Sequence, residues 1–387
     1  MTNLIALIKK WNHRRKDRRR LNKQERMVAY KSMICRKAPY VLVTYIPYVF
    51  YINEKKLKFR HQNNQEQKSI VKVLNWLGYN VLVLDYMKGT VPKGMDVKAV
   101  FGIPPLFDKA KEMYPDALQI YYGTTASWHH QERMTIKRID DFNKKNHCSV
   151  AYQRLPEHST AEDTADIILQ IGSKYTKGTY AEQIRDKIKL IHQSTTADAL
   201  SCPTPITKRT DYVWFGSGGS ILKGLDLSLD YFIQHPEKRL HVIGGPIEED
   251  VMAVYRDLLT ANIYIYGWLD TASAQFMEVV SQCAFMIYPS CSEGCPGSVL
   301  TMMKMGVIPI VSPWAACDGI ENYGYIMRDL SVDSIEEGIT WAERLTDEEK
   351  LQRSHGAAAL VAKTYNLERY ERELEAFFID VLGKNVY

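Results

Sequence analysis

The chain has 387 residues, of which 45% are hydrophobic and 25% are charged, and this composition excludes a wholly disordered or fibrous protein. No run approaches the roughly 18 consecutive apolar residues that a transmembrane helix needs, and residues 4–8 are too short for the apolar core of a secretory signal. The seven cysteines are odd in number and scattered, which favours reduced thiols in the cytoplasm.

The net charge of +5 conceals a strongly basic N-terminal segment. Residues 1–37 hold 13 of the 50 basic residues and two of the 45 acidic residues, so this segment carries +11 and the rest of the chain −6. Apolar residues recur there at helical spacing, just before a basic run over residues 14–20: Leu4, Ile5, Leu7, Ile8 and Trp11. The pattern predicts a basic, amphipathic helical N-terminal arm over residues 1–37.

Such an arm suits the surface of an anionic membrane, so we expect a peripheral protein on the cytoplasmic face of the inner membrane. A solvated, partly disordered arm is the alternative. Nucleic acid is not expected as a partner, because the rest of the chain is acidic and carries no nucleic-acid-binding signature.

From residue 39 onward, short apolar runs alternate with helical patterns, which is typical of a parallel sheet covered by helices on both faces. In the first half, the predicted strands are residues 40–45, 80–85, 96–102, 118–123 and 166–172, and the predicted helices are residues 65–77 and 105–113. Residues 194–210 are small and polar and contain two prolines, which predicts an interdomain linker.

The same alternation restarts after the linker. The predicted strands are residues 211–216, 239–244, 263–266, 285–289 and 308–312, and the predicted helices are residues 225–234, 249–259, 271–281, 296–305, 334–345, 347–362 and 367–382. The sequence therefore predicts two doubly wound, Rossmann-like α/β domains, with ligands bound in a cleft beyond the carboxyl ends of the strands.

The most informative segment is residues 288–312, which read YPSCSEGCPGSVLTMMKMGVIPIVS. A predicted strand ends just before a loop with Glu293, and a helix is predicted to start at Pro296 and to end at Gly306. The free backbone N–H groups of that helix start, with the helix dipole, would form an anion site suited to a diphosphate. Glu293 is placed to accept hydrogen bonds from hydroxyl groups. The alternative is an ordinary strand–turn–helix connection with a solvated glutamate.

A second candidate site is residues 215–224, FGSGGSILKG, which also follow a strand and precede a helix. The small residues Gly216, Ser217 and Gly218 allow a backbone to approach a phosphate closely, and Lys223 offers a positive charge for it. Neither the dinucleotide fingerprint nor the Walker pattern fits this spacing.

Together these segments resemble one family. A strand followed by G-x-x-x-x-x-x-K-G, then G-W-L, then P-S-x-x-E-G-x-P and a strand reading P-I-V-S, is similar to the C-terminal domain of glycosyltransferase family 4 over residues 211–315. The resemblance implies the GT-B fold. It also implies a metal-independent, retaining hexosyltransferase that uses a UDP- or GDP-linked sugar as donor and no further cofactor. The implied acceptor is a glycan or lipid-linked glycan of bacterial lipopolysaccharide or capsule assembly.

The resemblance assigns a role to each half of the chain. It implies an acceptor-binding domain at residues 38–205 and a nucleotide-sugar-binding domain at residues 206–387, with the last helix as a candidate to cross back to the first domain. Lys223 matches the lysine that holds the donor phosphates, and Glu293 matches the first glutamate of an E-x7-E motif near the transferred sugar. Trp268 matches the turn near the base. The loop that faces the diphosphate and the sugar comprises Gly294, Cys295, Pro296, Gly297 and Ser298.

Two positions depart from the family pattern. Ser217 stands where the family usually has an arginine, and Thr301 stands where it has the second glutamate, which grips the ribose hydroxyls. These departures motivate an alternative from another class, a catalytically silent scaffold or sugar-binding subunit at the membrane. A nucleotide-sugar epimerase on the same fold is a third option.

Family members often place a histidine near the sugar. His129 and His130, which follow a predicted strand, are the candidates for this position, and the alternative is two surface histidines on the first turn of a helix. Cys291 and Cys295 are spaced C-x3-C with no partner pair and no nearby histidine, so a zinc site is not expected.

Overall fold

The structure is a computed structural model that describes residues 37–50, 62–195 and 202–385 and the backbone of residues 28–30. The predicted N-terminal arm therefore lies outside the described residues, except for residues 28–30 and Lys37. Within the described ranges, no helix combines the length and the apolar character that a membrane span requires.

The first sheet contains seven strands. Their bounds are β1 Val28–Tyr30, β2 Tyr40–Tyr45, β3 Asn80–Asp85, β4 Val97–Gly102, β5 Leu118–Gly123, β6 Ile167–Ile171 and β7 Ile188–Ile191. Their order in the sheet is β1-β3-β2-β4-β5-β6-β7. The pairs β2–β3, β2–β4 and β4–β5 are parallel, whereas β1 runs antiparallel to β3 at the edge of the sheet.

The second sheet contains six strands, all paired in parallel. Their bounds are β8 Asp211–Ser217, β9 Leu240–Gly245, β10 Ile263–Gly267, β11 Cys283–Tyr288, β12 Ile308–Val311 and β13 Tyr325–Ile326. Their order is β10-β9-β8-β11-β12-β13, so the direction of strand succession reverses between β8 and β11. In open α/β sheets, ligands bind beyond the carboxyl ends of the strands at such a reversal.

Helices connect the strands. In the first half they are α1 Gln62–Trp76, α2 Leu106–Met113, α3 Trp128–Asn146, α4 Ala161–Thr164 and α5 Lys174–Gly178. In the second half they are α6 Leu225–Gln234, α7 Glu249–Tyr255, α8 Ala274–Val280, α9 Gly297–Lys304, α10 Val332–Glu343, α11 Asp347–Thr364 and α12 Leu367–Leu382.

Central strands are buried along their whole length. Every residue of β3, β11 and β12 is buried, in agreement with their continuous apolar sequences. Parallel strands covered by helices on both faces show this pattern, because neither face of the sheet contacts water. The predicted α/β class, with two doubly wound sheets, is confirmed.

Contacts divide the chain into two compact units. The first comprises Met1–Tyr122, Ser159–Leu169 and Tyr370–Tyr387, and the second comprises Gly123–His158 and Gln170–Arg369. Within the first unit, Glu371 of α12 accepts hydrogen bonds from Ser69 Oγ at 2.8 Å and from Lys72 Nζ at 2.7 Å, both on α1.

A buried ion pair joins two helices of the second unit. Arg138 Nη2 on α3 donates to Asp226 Oδ2 on α6 at 2.6 Å, and the two side chains are only 7% and 4% exposed. Nearby, the exposed Lys145 pairs with Asp230 at 2.6 Å. Charged groups, one pair of them buried, therefore connect α3 with α6.

Part of the predicted linker is packed rather than free. Residues 196–201 lie outside the described residues, but Ile206–Lys208 form a short 3₁₀ helix, and Ile206 is buried. The guanidinium of Arg209 donates to the carbonyl oxygens of Thr204 and Met305. These contacts tie residues 204–209 to the second unit.

Candidate functional site

The loop after β8 docks against the loop after β11. The amide of Cys291 donates to the carbonyl of Leu222 at 2.8 Å. Gly224 has a φ of +69°, and a Cβ added to it would lie 2.4 Å from the carbonyl oxygen of Pro289. Only glycine fits such a close backbone approach. The close approach of Gly224 to Pro289 therefore places the preceding residue, Lys223, next to the segment that carries Glu293.

Lys223 and Glu293 form a buried ion pair at this junction. Lys223 Nζ lies 2.7 Å from Glu293 Oε1, and the side chains are 7% and 15% exposed. Glu293 Oε1 also accepts hydrogen bonds from the Tyr288 hydroxyl at 3.0 Å and from Ser290 Oγ at 3.1 Å. Lys223 Nζ in turn donates to the Tyr288 hydroxyl at 3.1 Å. The structure thus brings the two main sequence-predicted site residues into one network, which we call the lysine–glutamate network (Lys223, Tyr288, Ser290, Glu293).

The charges of this network follow from its surroundings. Burial by itself would lower the pKa of Lys223, but the Glu293 carboxylate outweighs burial and raises this pKa above its ordinary value. Burial raises the pKa of Tyr288 above its ordinary value, so the phenol stays protonated and donates to Glu293. The site therefore holds an ammonium and a neutral phenol side by side at neutral pH.

Lys223 and Glu293 each have further hydrogen-bonding capacity beyond the contacts in this network. An ammonium has three donors, and Lys223 uses one on Glu293 and one on Tyr288. The hydrogen bonds that Glu293 accepts from described side chains all go to Oε1. Within the described ranges, no further hydrogen bond is made by the third Lys223 donor or by Glu293 Oε2.

Trp214, which sequence reasoning did not single out, positions Lys223. Its ring is fully buried, and its indole Nε1 donates to the Lys223 carbonyl at 3.1 Å. A Cβ added to Gly216 would lie 2.5 Å from this ring, so Gly216 contributes space for the indole. The phosphate role of Gly216 stays a prediction, and the structure gives a packing reason for glycine at this position.

The first and last residues of the segment from Gly294 to Ser298 make hydrogen bonds to other parts of the second unit. A Cβ on Gly294 would lie 2.7 Å from the Thr124 carbonyl oxygen, and the Gly294 carbonyl accepts a hydrogen bond from Thr176 Oγ1 at 2.6 Å. Cys295 and Pro296 are buried. Ser298 hydrogen-bonds to Tyr288, which adds it to the lysine–glutamate network.

The helix start itself differs from the prediction by one residue. Pro296 is the N-cap, with a ψ of 113°, and α9 begins at Gly297. Proline has no N–H, so this position contributes no donor to an anion site. The Thr301 hydroxyl donates to the Gly297 carbonyl, one turn earlier, at 2.7 Å. Because its proton is used inside the helix, Thr301 can only accept a hydrogen bond from a ligand hydroxyl.

In the glycine-rich loop after β8, which lies within residues 215–224, the Glu248 carboxylate accepts hydrogen bonds from two backbone amides. Glu248 accepts from the amides of Gly219 at 2.6 Å and Ser220 at 3.1 Å, and also from the Ser220 hydroxyl. Burial opposes ionisation of Glu248, but these hydrogen bonds outweigh it and lower its pKa below the ordinary value. The sequence predicted that this loop would face a phosphate. In the structure, Glu248 accepts from these two amides and Ser217 is exposed. A Cβ added to Gly218 would lie 3.7 Å from Glu248 Oε1.

The two candidate histidines have different surroundings. His130 is buried, and its Nε2 donates to the Cys291 carbonyl at 3.1 Å, two residues before Glu293. Burial lowers the pKa of His130 below its ordinary value, so the ring is neutral at pH 7. His129 is exposed and stacks on Trp128, with ring centroids 3.6 Å apart. The structure connects His130 with the Cys291–Glu293 segment and gives His129 a surface position.

Trp268, predicted to lie near a nucleotide base, follows the edge strand β10 and is 58% exposed. Gly267, just before it, has a φ of +69°, which fits the turn that the sequence predicted there.

The buried cysteine Cys291 is not a thiolate at neutral pH, because burial raises the pKa of its thiol to about 12. Among the residues with described side chains, no group of three or more His, Cys, Asp or Glu could hold a metal ion.

The comparison with family models gives a match in this half of the chain. Residues 210–342, which include Lys223, Trp268 and Glu293, match the model described as Glycosyl transferases group 1. No curated protein sequence is similar enough to the chain to count as a relative. The predicted resemblance to glycosyltransferase family 4 is confirmed.

Solved structures agree on the fold. Sucrose-phosphate synthase from Thermosynechococcus elongatus aligns over 89% of this chain and 99% of its own, at 11% identity and a TM-score of 0.58. WaaG, a glycosyltransferase involved in lipopolysaccharide biosynthesis, aligns over 87% and 99%, at 12% identity and a TM-score of 0.52. HepE from Anabaena in complex with UDP-glucose aligns over 89% and 100%, at 13% identity and a TM-score of 0.50.

The chain spans about half the length (51%) of one longer structure, TarM from S. aureus, which aligns over 68% of this chain at 12% identity and a TM-score of 0.47. The fold is GT-B. Together with the family match, it supports a glycosyltransferase.

Proposed function

We propose that the protein is a retaining, metal-independent glycosyltransferase that moves a hexose from a UDP- or GDP-linked donor to an acceptor hydroxyl. The observation that carries this proposal is the lysine–glutamate network. It lies beyond the carboxyl ends of β8 and β11, where the strand order of the second sheet reverses.

The chemistry of the network fits donor activation. The remaining donor of Lys223 binds a phosphate oxygen and stabilises the negative charge that develops on the leaving diphosphate. Because the ammonium supplies this positive charge, the proposal needs no metal ion. Glu293 Oε2 accepts a hydrogen bond from a sugar hydroxyl and so orients the sugar for attack. Tyr288, Ser290 and Ser298 hold the two charged groups in place.

The donor and acceptor classes are proposed from structures that share the fold. HepE binds UDP-glucose and WaaG takes part in lipopolysaccharide biosynthesis, and both share the fold of this chain. We therefore favour a nucleotide sugar as donor and a glycan or lipid-linked glycan of cell-surface assembly as acceptor.

Thermal unfolding with nucleotides tests the donor site. UDP or GDP, or one of their sugars, at 100 times its Kd should stabilise the protein by about 2.7 kcal/mol and raise Tm accordingly. We expect this with one base and not the other, and we expect Lys223→Ala to abolish it. The control is Lys174→Ala, which removes an exposed lysine paired with Glu321 and should leave the shift intact. Failure of all nucleotides and nucleotide sugars to raise Tm would contradict the proposal.

A catalytically silent, sugar-binding subunit is the second candidate. The observations that favour it are the exposed Ser217, which provides no positive charge, and the Thr301 hydroxyl, whose proton is used by Gly297. This candidate predicts nucleotide binding without turnover. A turnover assay with the nucleotide sugar that gives the largest Tm shift separates the two functions.

We further propose that the basic arm binds anionic lipid on the cytoplasmic face of the membrane. Changing Arg18, Arg19 and Arg20 together to glutamate replaces three positive charges with three negative ones. Co-sedimentation with vesicles that contain phosphatidylglycerol should then be lost, since each basic residue near such a surface contributes about 1 kcal/mol. Neutral vesicles are the control, and unchanged binding of the triple variant would refute the proposal.

A further inference from the structure

Arg154 has an unusual backbone conformation next to the glycine-rich loop. Its φ is +57°, a region that residues other than glycine seldom adopt. His147 also has a positive φ, of +51°, but it is the left-handed C-cap residue of α3, where such a conformation is common. Arg154 ends no helix, so helix capping does not account for its conformation.

Contacts hold Arg154 in this position. Gln131 Nε2 on α3 donates to the Arg154 carbonyl at 3.0 Å. The Arg154 side chain lies over Gly219, whose own φ is +89°. A Cβ on Gly219 would lie 2.8 Å from Arg154 Cγ and 3.5 Å from Arg154 Nε. A side chain at residue 219 would push the arginine away from the loop.

Arg154 brings a positive charge to this loop, next to Gly219. Glu293 neutralises Lys223, and the Glu248 carboxylate adds a negative charge at Gly219 and Ser220. Arg154 is exposed, and in the part of the chain that the structure describes its guanidinium makes no hydrogen bond or ion pair. The guanidinium therefore adds a positive charge to the one that Lys223 offers to a diphosphate.

We propose that Arg154 binds the diphosphate of the nucleotide-sugar donor, a role that rests on the function proposed above. The guanidinium reaches the loop from a segment some 60 residues earlier in the chain and supplies the positive charge that Ser217 lacks. A planar guanidinium donates two parallel hydrogen bonds to a phosphate, which a lysine cannot reproduce. The Gln131 hydrogen bond to the Arg154 carbonyl restrains the backbone from which this side chain reaches the loop.

Binding measurements on Arg154 variants test this assignment. We would measure by calorimetry the Kd of the nucleoside diphosphate that stabilises the protein, and the Kd of the matching nucleoside. Arg154→Ala should raise the Kd of the diphosphate about 10- to 100-fold and leave that of the nucleoside unchanged. Arg154→Lys should fall between the two, because lysine keeps the charge without the planar geometry.

Two further variants serve as controls. Arg372→Ala removes another exposed arginine, on α12, and should leave both Kd values unchanged. Arg154→Gly removes the side chain and relieves the positive φ, so it should weaken diphosphate binding while Tm stays equal or rises. A purely structural arginine would not give weaker binding together with an undiminished Tm.

The outcomes separate this assignment from the proposed function. If Arg154→Ala binds the diphosphate normally while Lys223→Ala does not, the arginine assignment is wrong and the donor site stands. If neither a nucleoside diphosphate nor inorganic pyrophosphate binds the unaltered protein, the donor site and the arginine assignment are both wrong.

Discussion

Replacing Arg138 with alanine will lower the free energy of unfolding by about 3–5 kcal/mol. The variant leaves the Asp226 carboxylate, which is 4% exposed, without its partner at 2.6 Å. A buried carboxylate cannot recover its hydration inside the fold, so it destabilises the native state by several kcal/mol. Chemical denaturation followed by circular dichroism measures the change as a lower midpoint.

Helix α3 provides a matched control for this prediction. Lys137, one residue earlier, pairs with Asp141 at 2.7 Å, but both side chains are more than half exposed. Lys137→Ala should therefore cost less than about 1 kcal/mol. If the two alanine variants unfold at the same denaturant concentration, the buried pair does not stabilise the junction of α3 and α6 as argued here.

A double variant measures how much the Arg138–Asp226 ion pair contributes to stability beyond the volume of the two side chains. Arg138 Nε and Asp226 Oδ1 are buried, and neither has a hydrogen-bond partner among the residues that the structure describes. The pair is thus incompletely satisfied, and replacement of both residues by apolar ones of similar size is often neutral. We expect Arg138→Met with Asp226→Leu to be more stable than Arg138→Ala alone.

Replacing Glu293 with glutamine will separate donor binding from turnover. The amide oxygen of glutamine can still accept from Lys223, Tyr288 and Ser290, but its NH2 group replaces the free Oε2 acceptor. In the proposed donor complex the sugar hydroxyl then loses its partner, and turnover should fall by about 10²–10³-fold. Lys223 is no longer neutralised, so the Kd of the nucleoside diphosphate should stay the same or decrease, by up to about tenfold.

Steady-state kinetics and calorimetry on the same preparation check this separation. Glu321→Gln is the matched control, because Glu321 forms an exposed pair with Lys174 at 2.7 Å and should affect neither quantity. A parallel loss of turnover and of diphosphate affinity in Glu293→Gln would show that Glu293 only maintains the shape of the loop.

Most of the fold could be predicted from apolar patterning. Strands at residues 40–45, 80–85 and 118–123 and the helix at 225–234 coincide with the predicted bounds. The strands are mostly apolar and β-branched or aromatic, and the helix repeats apolar residues at helical spacing. Helix α3 was predicted only as a first turn, because its sequence from Trp128 to Asn146 is mostly polar and its few buried residues include His130, Thr135 and Arg138. Strand β7 was missed because only its first and last residues are buried.

Site residues could be predicted where residues close together in the sequence form a recognisable motif. Lys223 and Glu293 lie in such motifs, and the structure places them 2.7 Å apart. Glu248 and Arg154 lie in segments without a recognisable spacing, and each reaches the glycine-rich loop only through the tertiary fold. Single-sequence patterning contains no information on such pairings. The predicted domain boundaries at residues 37 and 205 stay predictions.

The short strand β1 affects how the basic arm can be removed in experiments. Its backbone pairs with β3 through residues 28–30, so β1 covers the outer edge of the first sheet. Deleting residues 1–37 would strip this cover and leave the hydrogen-bonding groups of β3 open to pair with other molecules. Such a shortened protein would sediment by self-association, with or without lipid. A deletion that stops at residue 27 removes the charged run and keeps the sheet edge protected.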